Sequence, residues 1–550
     1  MRKLLVILAL LTPTALFAKD PFFISFWEAP HELSEASVRD AAEAGFTVYF
    51  DYLHNSAKEQ KELMELCRKY GLKVLVHDER IYTADKEGPV DRIMVENVVE
   101  EYRDDPIVWG YSIADEPFPE KFHDKAAIAA GVRAADPERK TFINMHRWGA
   151  CYVLPKLFDK GDHTRYIDEM LLAGQLNFLS YDEYSFDAEG KNEMLDAYFR
   201  NLEIIRAESL KHNIPFNSII LDTQHWQFRD PTDAEIRWQV YTALAYGSKG
   251  ITYFTYAVPT GDASFVWGDG LMDRDGNKTR RYYAAKKINH EIGRMSDVLM
   301  NLKSVGVFHT SKIWCPLVNP VPAENFIQID GGDFLLGQFT SPDGYKYAMV
   351  TNSSFTDKQT ARLTFAQSTE VEEVGAHGGR GLRTSSTTWR KTLNPGDGVL
   401  LRLKTGAPMY AKWDYNGNVL PKVAVYAPTP ESFAAAEEAR KVLWGKVTVT
   451  VMPAGTREPA HVARRFRSDA YIVMGEKSYY MPFSDDASMC LATSIDSEAE
   501  ENAEAFEERQ QIFCPAAVVK VNDGQALAKG ILDYLTNKPN FRYRNDCGCL

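Results

Sequence analysis

Eight short apolar, β-rich runs recur between residues 22 and 256: Phe22–Trp27, Phe46–Leu53, Lys73–His77, Ile107–Ala114, Thr141–His146, Leu176–Tyr181, Ser218–Asp222 and Ile251–Tyr256. Their starts lie 24 to 42 residues apart. Nearly every gap holds a segment with helical spacing. In Lys58–Tyr70, for example, Leu63, Leu66, Cys67 and Tyr70 form one apolar stripe. Gly45, Gly71 and Gly250 sit just before strands, where helix C-caps belong. Eight βα units over about 280 residues predict an α/β fold of the (β/α)8 TIM-barrel type. A doubly wound sheet is the competing arrangement. It wants a Gly-rich phosphate loop after the first strand, and Trp27-Glu28-Ala29-Pro30-His31 is nothing like one.

The pattern changes after about residue 303. Short alternating runs follow, namely Phe334–Phe339, Lys346–Thr351, Ala361–Phe365 and Gly398–Leu403, with Gly, Asp, Asn and Ser turns between them. This spacing predicts a β-sandwich. From about 421 an α/β pattern returns. Strands are expected at Lys422–Tyr426, Lys446–Val451, Ala470–Met474 and Ala517–Val521, and helices at Ser432–Leu443 and Gly524–Leu535. The chain therefore divides into a leader at 1–18, a barrel at 19–303, a β-sandwich at 304–410 and a small C-terminal α/β unit at 411–550.

Composition narrows the function. A formal charge of −13 argues against nucleic acid as a partner. Residues 1–18 read as a signal peptide: Arg2 and Lys3, an apolar run Leu4–Leu11, then the small-residue end Ala15–Ala18. The expectation is an exported protein, periplasmic or secreted, with no membrane span. The seven cysteines are too sparse for a disulfide scaffold, and Cys67 reads as a buried small residue. Cys490 and Cys514, or one of them with the Cys547/Cys549 tail, are placed to pair after export. The acidic run Ser497–Glu508 reads as a solvated surface. Homo-oligomerisation is left open, and accessory packing or oligomerisation is the default role of the terminal unit.

The chemistry centres on Ile107–Pro117, Ile-Val-Trp-Gly-Tyr-Ser-Ile-Ala-Asp-Glu-Pro. A strand-favouring run ends in two carboxylates, and Pro117 stops it. Alternation along an extended segment predicts that Asp115 and Glu116 point to opposite sides. The competing reading is an acidic helix start or a solvated pair. In a barrel the active site lies at the C-terminal ends of the strands. Those ends combine polar and aromatic residues: Trp27, Asp51, His77, Asp115, His146, Trp148, Asp182, Tyr184, Gln224, Trp226 and Tyr256 are the expected substrate contacts. Aromatic faces stack on sugar C–H faces and carboxylates bond hydroxyls, so the set suits a carbohydrate. His77, Asp78, His146, Asp182 and His225 could gather a metal, but no His-x-His or His-Glu-x-x-His spacing supports it. No metal and no cofactor is expected.

Ile107–Pro117 resembles the acid/base strand of the clan A glycoside hydrolases. Trp238–Tyr256 is similar to the seventh helix and eighth strand of family 42 β-galactosidase-like proteins. Gly270–Thr279, followed by Arg281-Tyr-Tyr283, is similar to the segment after them. The resemblance covers roughly residues 20–300. It implies a glycosidase in which Glu116 is the general acid/base, with Asp115 before it where the clan commonly has Asn. It also implies a nucleophilic glutamate at the seventh strand's end. Here that end reads Leu221-Asp222-Thr223-Gln224-His225, without one. Glu183 and Asp222 are the candidate second carboxylates, since glycosidases generally need two. The expected function is an exported glycoside hydrolase with Glu116, Glu183 and Asp222 as its catalytic candidates. The alternatives are a non-catalytic carbohydrate-binding barrel and a metal-dependent hydrolase.

Overall fold

The computed structural model describes residues 20–405 except 87, 149, 151–162, 188–193, 260–265, 311–312, 316, 324 and 376–382, and beyond these 422–427, 429–443, 447–453, 470–474, 489–493 and 524–537. The leader, the acidic run, the Ala517–Val521 strand and Cys151, Cys514, Cys547 and Cys549 lie outside the described residues.

All eight predicted runs form strands: β1 (Phe23–Phe26), β2 (Val48–Phe50), β3 (Lys73–Val76), β4 (Val108–Asp115), β5 (Lys140–Met145), β6 (Leu179–Asp182), β7 (Phe216–Leu221) and β8 (Gly250–Phe254). They pair in parallel in the order β1-β8-β7-β6-β5-β4-β3-β2. Thr47 closes the ring: its N–H donates to Ile24 O at 3.0 Å, and its Oγ1 accepts from Ile24 N at 2.9 Å. The outer helices are α1 (Glu35–Glu43), α2 (Ala57–Tyr70), α3 (Glu79–Tyr82), α4 (Arg92–Glu100), α5 (Phe122–Ala135), α6 (His163–Ala173), α7 (Leu195–His212), α8 (Asp233–Tyr246) and α9 (Arg280–Asn301).

Local signals explain the boundaries. A Ser56–Glu59 capping box opens α2, and Gly71 at φ 73° closes it. A Thr232–Glu235 box opens α8. The glycine that caps α8 is Gly247 at φ 96°, and not Gly250. Gly250 is the first residue of β8, paired with Phe23 and Asn217. A Cβ there would meet Asn217 Oδ1 at 2.8 Å, so close strand approach is what requires glycine.

Inward positions fill the lower barrel with rings. Phe23 lies 4.3 Å from Trp109 and Trp109 lies 4.8 Å from Phe178, centroid to centroid. Trp27 sits edge-on to Phe50 at 5.0 Å. This packed plug fills the lower barrel, and in such a barrel the site lies at the C-terminal mouth.

A largely antiparallel sheet follows: β9 (Lys303–His309), β10 (Asn319–Pro320), β11 (Ile327–Asp330), β12 (Phe334–Thr340), β13 (Lys346–Asn352), β14 (Gln359–Glu373), β15 (Arg383–Leu393) and β16 (Gly398–Lys404). It is one curled sheet and not two separate ones. The 15-residue β14 pairs first with β11 and β15 and, past an irregularity after Thr364, also with β16. Phe308, Leu336, Val350, Leu363, Trp389 and Leu401 pack between the two layers this makes. Its outer side packs on α8. There a Cβ on Gly337 would lie 2.2 Å from Ala245 O. Gly337→Ala is therefore expected to cost about 1–3 kcal/mol in denaturant unfolding, through overpacking of helix backbone against strand.

The described C-terminal residues form a second parallel sheet. β17 (Lys422–Ala427), β18 (Thr448–Pro453), β19 (Ala470–Met474) and β20 (Met489–Thr493) run in the order β18-β17-β19-β20. Helices α10 (Pro430–Val442) and α11 (Gly524–Asn537) pack against each other. Among the described residues no helix is long and apolar enough to cross a membrane.

Candidate active site

Five non-glycine residues among those described have positive φ. Gln175 and Asn213 end helices. The other three, Glu28 (φ 56°), Glu116 (φ 38°) and Trp226 (φ 47°), lie at the barrel mouth. Such a conformation costs about 1–2 kcal/mol, and residues that hold it cluster where function fixes the backbone.

At Glu116 the strand alternation stops. Its N–H donates to Asn144 O at 2.9 Å, one rung beyond β4, but the left-handed turn re-aims its side chain. Asp115 and Glu116 consequently do not point to opposite sides, as the sequence suggested: they meet Asn144 and His146, two neighbours of the same parity on and just after β5, and Asp115 feels the charge of Glu116. Glu116 Oε1 lies 3.3 Å from His146 Nδ1. His146 is held through its backbone: its N–H donates to Tyr166 Oη at 3.3 Å and its carbonyl accepts from His163 Nε2 at 2.8 Å. Asp115 Oδ1 accepts from Asn144 Nδ2 at 2.9 Å. Asp115 is itself exposed at the strand end, yet desolvation by the surrounding mouth, then the neighbouring Glu116, raises its carboxyl to about 6, against the Asn144 hydrogen bond.

The end of β6 supplies the next two acids. Ser180 faces inward, bonded to Asn217 Nδ2 at 3.0 Å, so Asp182 two residues on faces inward too. Burial raises its carboxyl well above the usual range, and the charges of Glu116 and Asp115 raise it further. Its Oδ1 has no hydrogen-bond partner among the described residues. Glu183 turns the other way. It is 2% exposed, pairs with Arg147 at 3.5 Å, and its charge is felt by Tyr198 on α7. Burial pushes its carboxyl up to about 8, with Arg147 opposing and Glu116 adding to the rise.

Glu183 gives a pH prediction. A carboxyl at about 8 in the fold and near 4.5 when unfolded keeps its proton longer in the native state. Its stabilising contribution is full below pH 4.5 and is lost as pH rises through about 8. The melting temperature is expected to fall across that window, and Glu183→Gln to flatten the fall. A melting temperature that rises there, or an unchanged slope in the variant, would contradict the assignment.

The other predicted residues divide clearly. His77 is buried at the floor, its Nδ1 3.2 Å from Ser112 Oγ, and burial lowers its imidazole to about 4. Trp27 roofs the aromatic plug. Tyr184 and His225 line the wall, 5.6 Å apart, and His225 stacks on Trp267 at 5.0 Å. His225 Nδ1–H donates to Thr223 O at 3.2 Å, which fixes its tautomer. Gln224 and Trp226 are exposed at the rim. Trp148 is half-buried, with the Arg200 guanidinium 4.7 Å above its ring.

Three residues are not presented to the mouth. Asp51 is spent on its own turn, accepting from Leu53 N at 3.0 Å, His54 N at 3.1 Å and His54 Nδ1 at 2.8 Å. Tyr256 is fully buried between Phe26, at 4.5 Å, and Phe46, at 5.9 Å. Asp222 is fully buried, and its charged neighbours are Arg281 and Asp230 instead of Glu116. Burial raises its carboxyl well above the usual range.

The possible metal ligands do not converge either. Asp78 caps α3 and holds Arg80 at 2.8 Å and Tyr102 Oη at 2.6 Å. Among the described residues only Asp168, Glu208 and His212 come within reach of one ion. They lie on α6 and α7, where Lys211 Nζ already pairs with Asp168 and, at 3.2 Å, with Glu208. Cys67 and Cys315 are buried free thiols.

Glu28, Tyr52, Asn144 and Arg147 were not singled out as site residues from the sequence. Tyr52 donates its hydroxyl hydrogen to Glu28 Oε1. The inward parity of Val48, Phe50 and Tyr52 on and after β2 was the available signal for Tyr52.

Residues 148–295 match the glycoside hydrolase family 42 model, described as Beta-galactosidase. The chain resembles the family 42 glycoside hydrolases. The matched segment carries Asp182, Glu183, Asp222 and Gln224, whereas Glu116 precedes it. Among solved structures, a family 5 glycoside hydrolase from Bacteroides vulgatus is 12% identical, with 70% of this chain and 90% of that chain covered and a TM-score of 0.44. A β-galactosidase from Bacillus circulans sp. alkalophilus is 10% identical, with 70% and 99% covered and a TM-score of 0.45. No curated protein matches the chain. The family match and the barrel support a glycosidase, and hence a carbohydrate substrate.

Proposed function

We propose that the protein hydrolyses a glycosidic bond with Glu116 as proton donor and Asp182 as the second carboxylate. The observation that carries this is the grouping of acids at one barrel mouth, where Asp115, Asp182 and Glu183 each feel the charge of Glu116. Burial and acidic neighbours raise the carboxyls of Asp115, Asp182 and Glu183, so protons are retained in the group near neutral pH. A retained proton is what departure of an alcohol leaving group requires. Asp182 is preferred over Glu183 because it faces inward and because the direct partner of Arg147 is Glu183, Arg147 reaching Asp182 only as a charge. Asp222 lacks Glu116 as a neighbour. The export suggested by the leader fits a hydrolase of external glycans, and is part of this reading.

The rival reading, a barrel that only binds glycans, is favoured by one feature: the β7 end offers Gln224 where the clan has its nucleophile. A panel of aryl glycosides and oligosaccharides separates the two. After dialysis against a chelator, the full-length protein is expected to release reducing sugar from at least one member. Binding with no release across the panel supports the rival. Loss on dialysis with recovery on adding a divalent metal supports a metal-dependent hydrolase.

A further inference from the structure

The β-sandwich reaches the back of the active-site wall through Phe355. This residue stands in the turn between β13 and β14, in a run Asn-Ser-Ser-Phe-Thr-Asp that is otherwise polar. The turn is closely tied. Buried Asn352 gives its amide N–H groups to Asp357 O at 2.8 Å and Asn394 O at 2.9 Å, and its Oδ1 accepts from Ser354 N at 3.1 Å. Ser354 O accepts from Gly396 N at 2.9 Å, which joins this turn to the one between β15 and β16. The second turn is seated on α8: a Cβ on Gly396, at φ 69°, would meet Trp238 N at 2.8 Å, and Asp397 pairs with Arg237. The tip that carries Phe355 is thus fixed against the barrel.

The Phe355 ring meets Phe186 edge-on at 5.4 Å and Trp238 of α8 at 5.8 Å, and Phe186 and Trp238 lie 5.7 Å apart. Phe186 is buried and comes four residues after Asp182, on the segment that leaves β6. The Arg229 guanidinium, held by Glu235 at 2.8 Å, stands 4.9 Å from the same ring. Phe186 O accepts from Arg229 N at 3.2 Å, Asp187 bridges Phe228, and the Phe228 ring stands 5.2 Å from Tyr184. Asp182, Tyr184 and Phe186 therefore share one short segment, and rings from α8 and from the sandwich grip its far end. A reacting carboxylate must be held to within about 0.5 Å, by side chains whose own places are fixed by packing.

We propose that Phe355 is a positioning residue: through Phe186 the β-sandwich braces the segment that carries Asp182 and Tyr184, and so sets where the second carboxylate stands. The kinetic half of the test rests on the hydrolase reading; the brace itself does not. Crystal structures of the full-length parent and of Phe355→Ala are the first measurement. Phe186 is expected to move into the vacated space and to carry Tyr184 and Asp182 with it, while the eight barrel strands stay in place. The second measurement is kcat/KM against pH. Phe355→Ala should lower it about 10- to 100-fold, the scale of a misplacement of ~1 Å. Asp182 must be ionised to act. The charges of Glu116, Asp115, Glu183 and Arg147 reach it, but burial is the main reason its carboxyl stands high. A loosened wall that admits water should therefore move the acid limb to lower pH by at least about half a unit. Loss of folded protein only scales the profile, as Leu363→Ala in the sandwich core is expected to do. Phe355→Met, which refills the space, should restore most of the rate. Phe186→Leu should give the same shift, and decides the matter if Phe355→Ala does not fold; in the double variant the two losses should not add. Asp182 and Tyr184 unmoved in the variant crystal, or a profile that is only scaled, overturns the brace and leaves the hydrolase standing. If the parent cleaves no glycoside, the hydrolase reading falls and the crystal comparison alone decides the brace.

Discussion

Glu116→Gln is expected to lower kcat on a glycoside with a poor leaving group by about 10²- to 10⁴-fold, the usual contribution of general acid catalysis. The amide keeps the size of the side chain and can still meet His146, 3.3 Å away in the parent. It cannot give a proton to the departing oxygen. Affinity for the intact glycan should change little, because the loss falls on the transition state. An activated aryl glycoside, which leaves without a proton, should suffer least. The measurement is kcat/KM against leaving-group acidity for parent and variant. A variant line that runs parallel to the parent's would take the proton-donor role away from Glu116.

Asp182→Asn should be as damaging, and for every leaving group. An amide can neither attack the anomeric carbon nor activate a water, so kcat/KM is expected to fall by several orders of magnitude on activated and ordinary substrates alike. Azide should restore turnover by replacing the missing carboxylate and leave a glycosyl azide as product. Glu183→Gln should lose far less. Its carboxyl is turned to Arg147 and Tyr198, and its removal should register first in the pH dependence of the melting temperature. If azide rescues Glu183→Gln and not Asp182→Asn, the two assignments are exchanged.

The fold was largely legible because apolar runs, spacing and caps all agreed. Ser56–Glu59 and Gly71 bracket α2 as their types suggest. What escaped was tertiary. The crossing of β14 between two layers depends on an irregularity after Thr364 that no residue pattern announces. Gly250 has the position of a cap in the sequence, whereas it serves close packing of β8 on Asn217.

The mouth was legible as a set and less so residue by residue. Trp27, His77, Asp115, Glu116, His146, Asp182, Tyr184 and Trp226 do gather there. Asp51 and Asp78 are claimed by local turns and caps, a competition to which strand-end aspartates are prone. Asp115 and Glu116 share a side because Glu116 adopts φ 38°, which alternation cannot foresee. Tyr256 has inward parity, but the chain turns after Phe254 and buries its ring against Phe26.

The most direct test of the central claim is a proton NMR time course of the parent protein with the best glycoside of the panel, read before mutarotation. The account predicts that one anomer of the free sugar appears first, and that neither anomer appears at comparable rate with Glu116→Gln or Asp182→Asn. A glycoside that binds and stays intact, or free sugar produced equally by the parent and both variants, would contradict it.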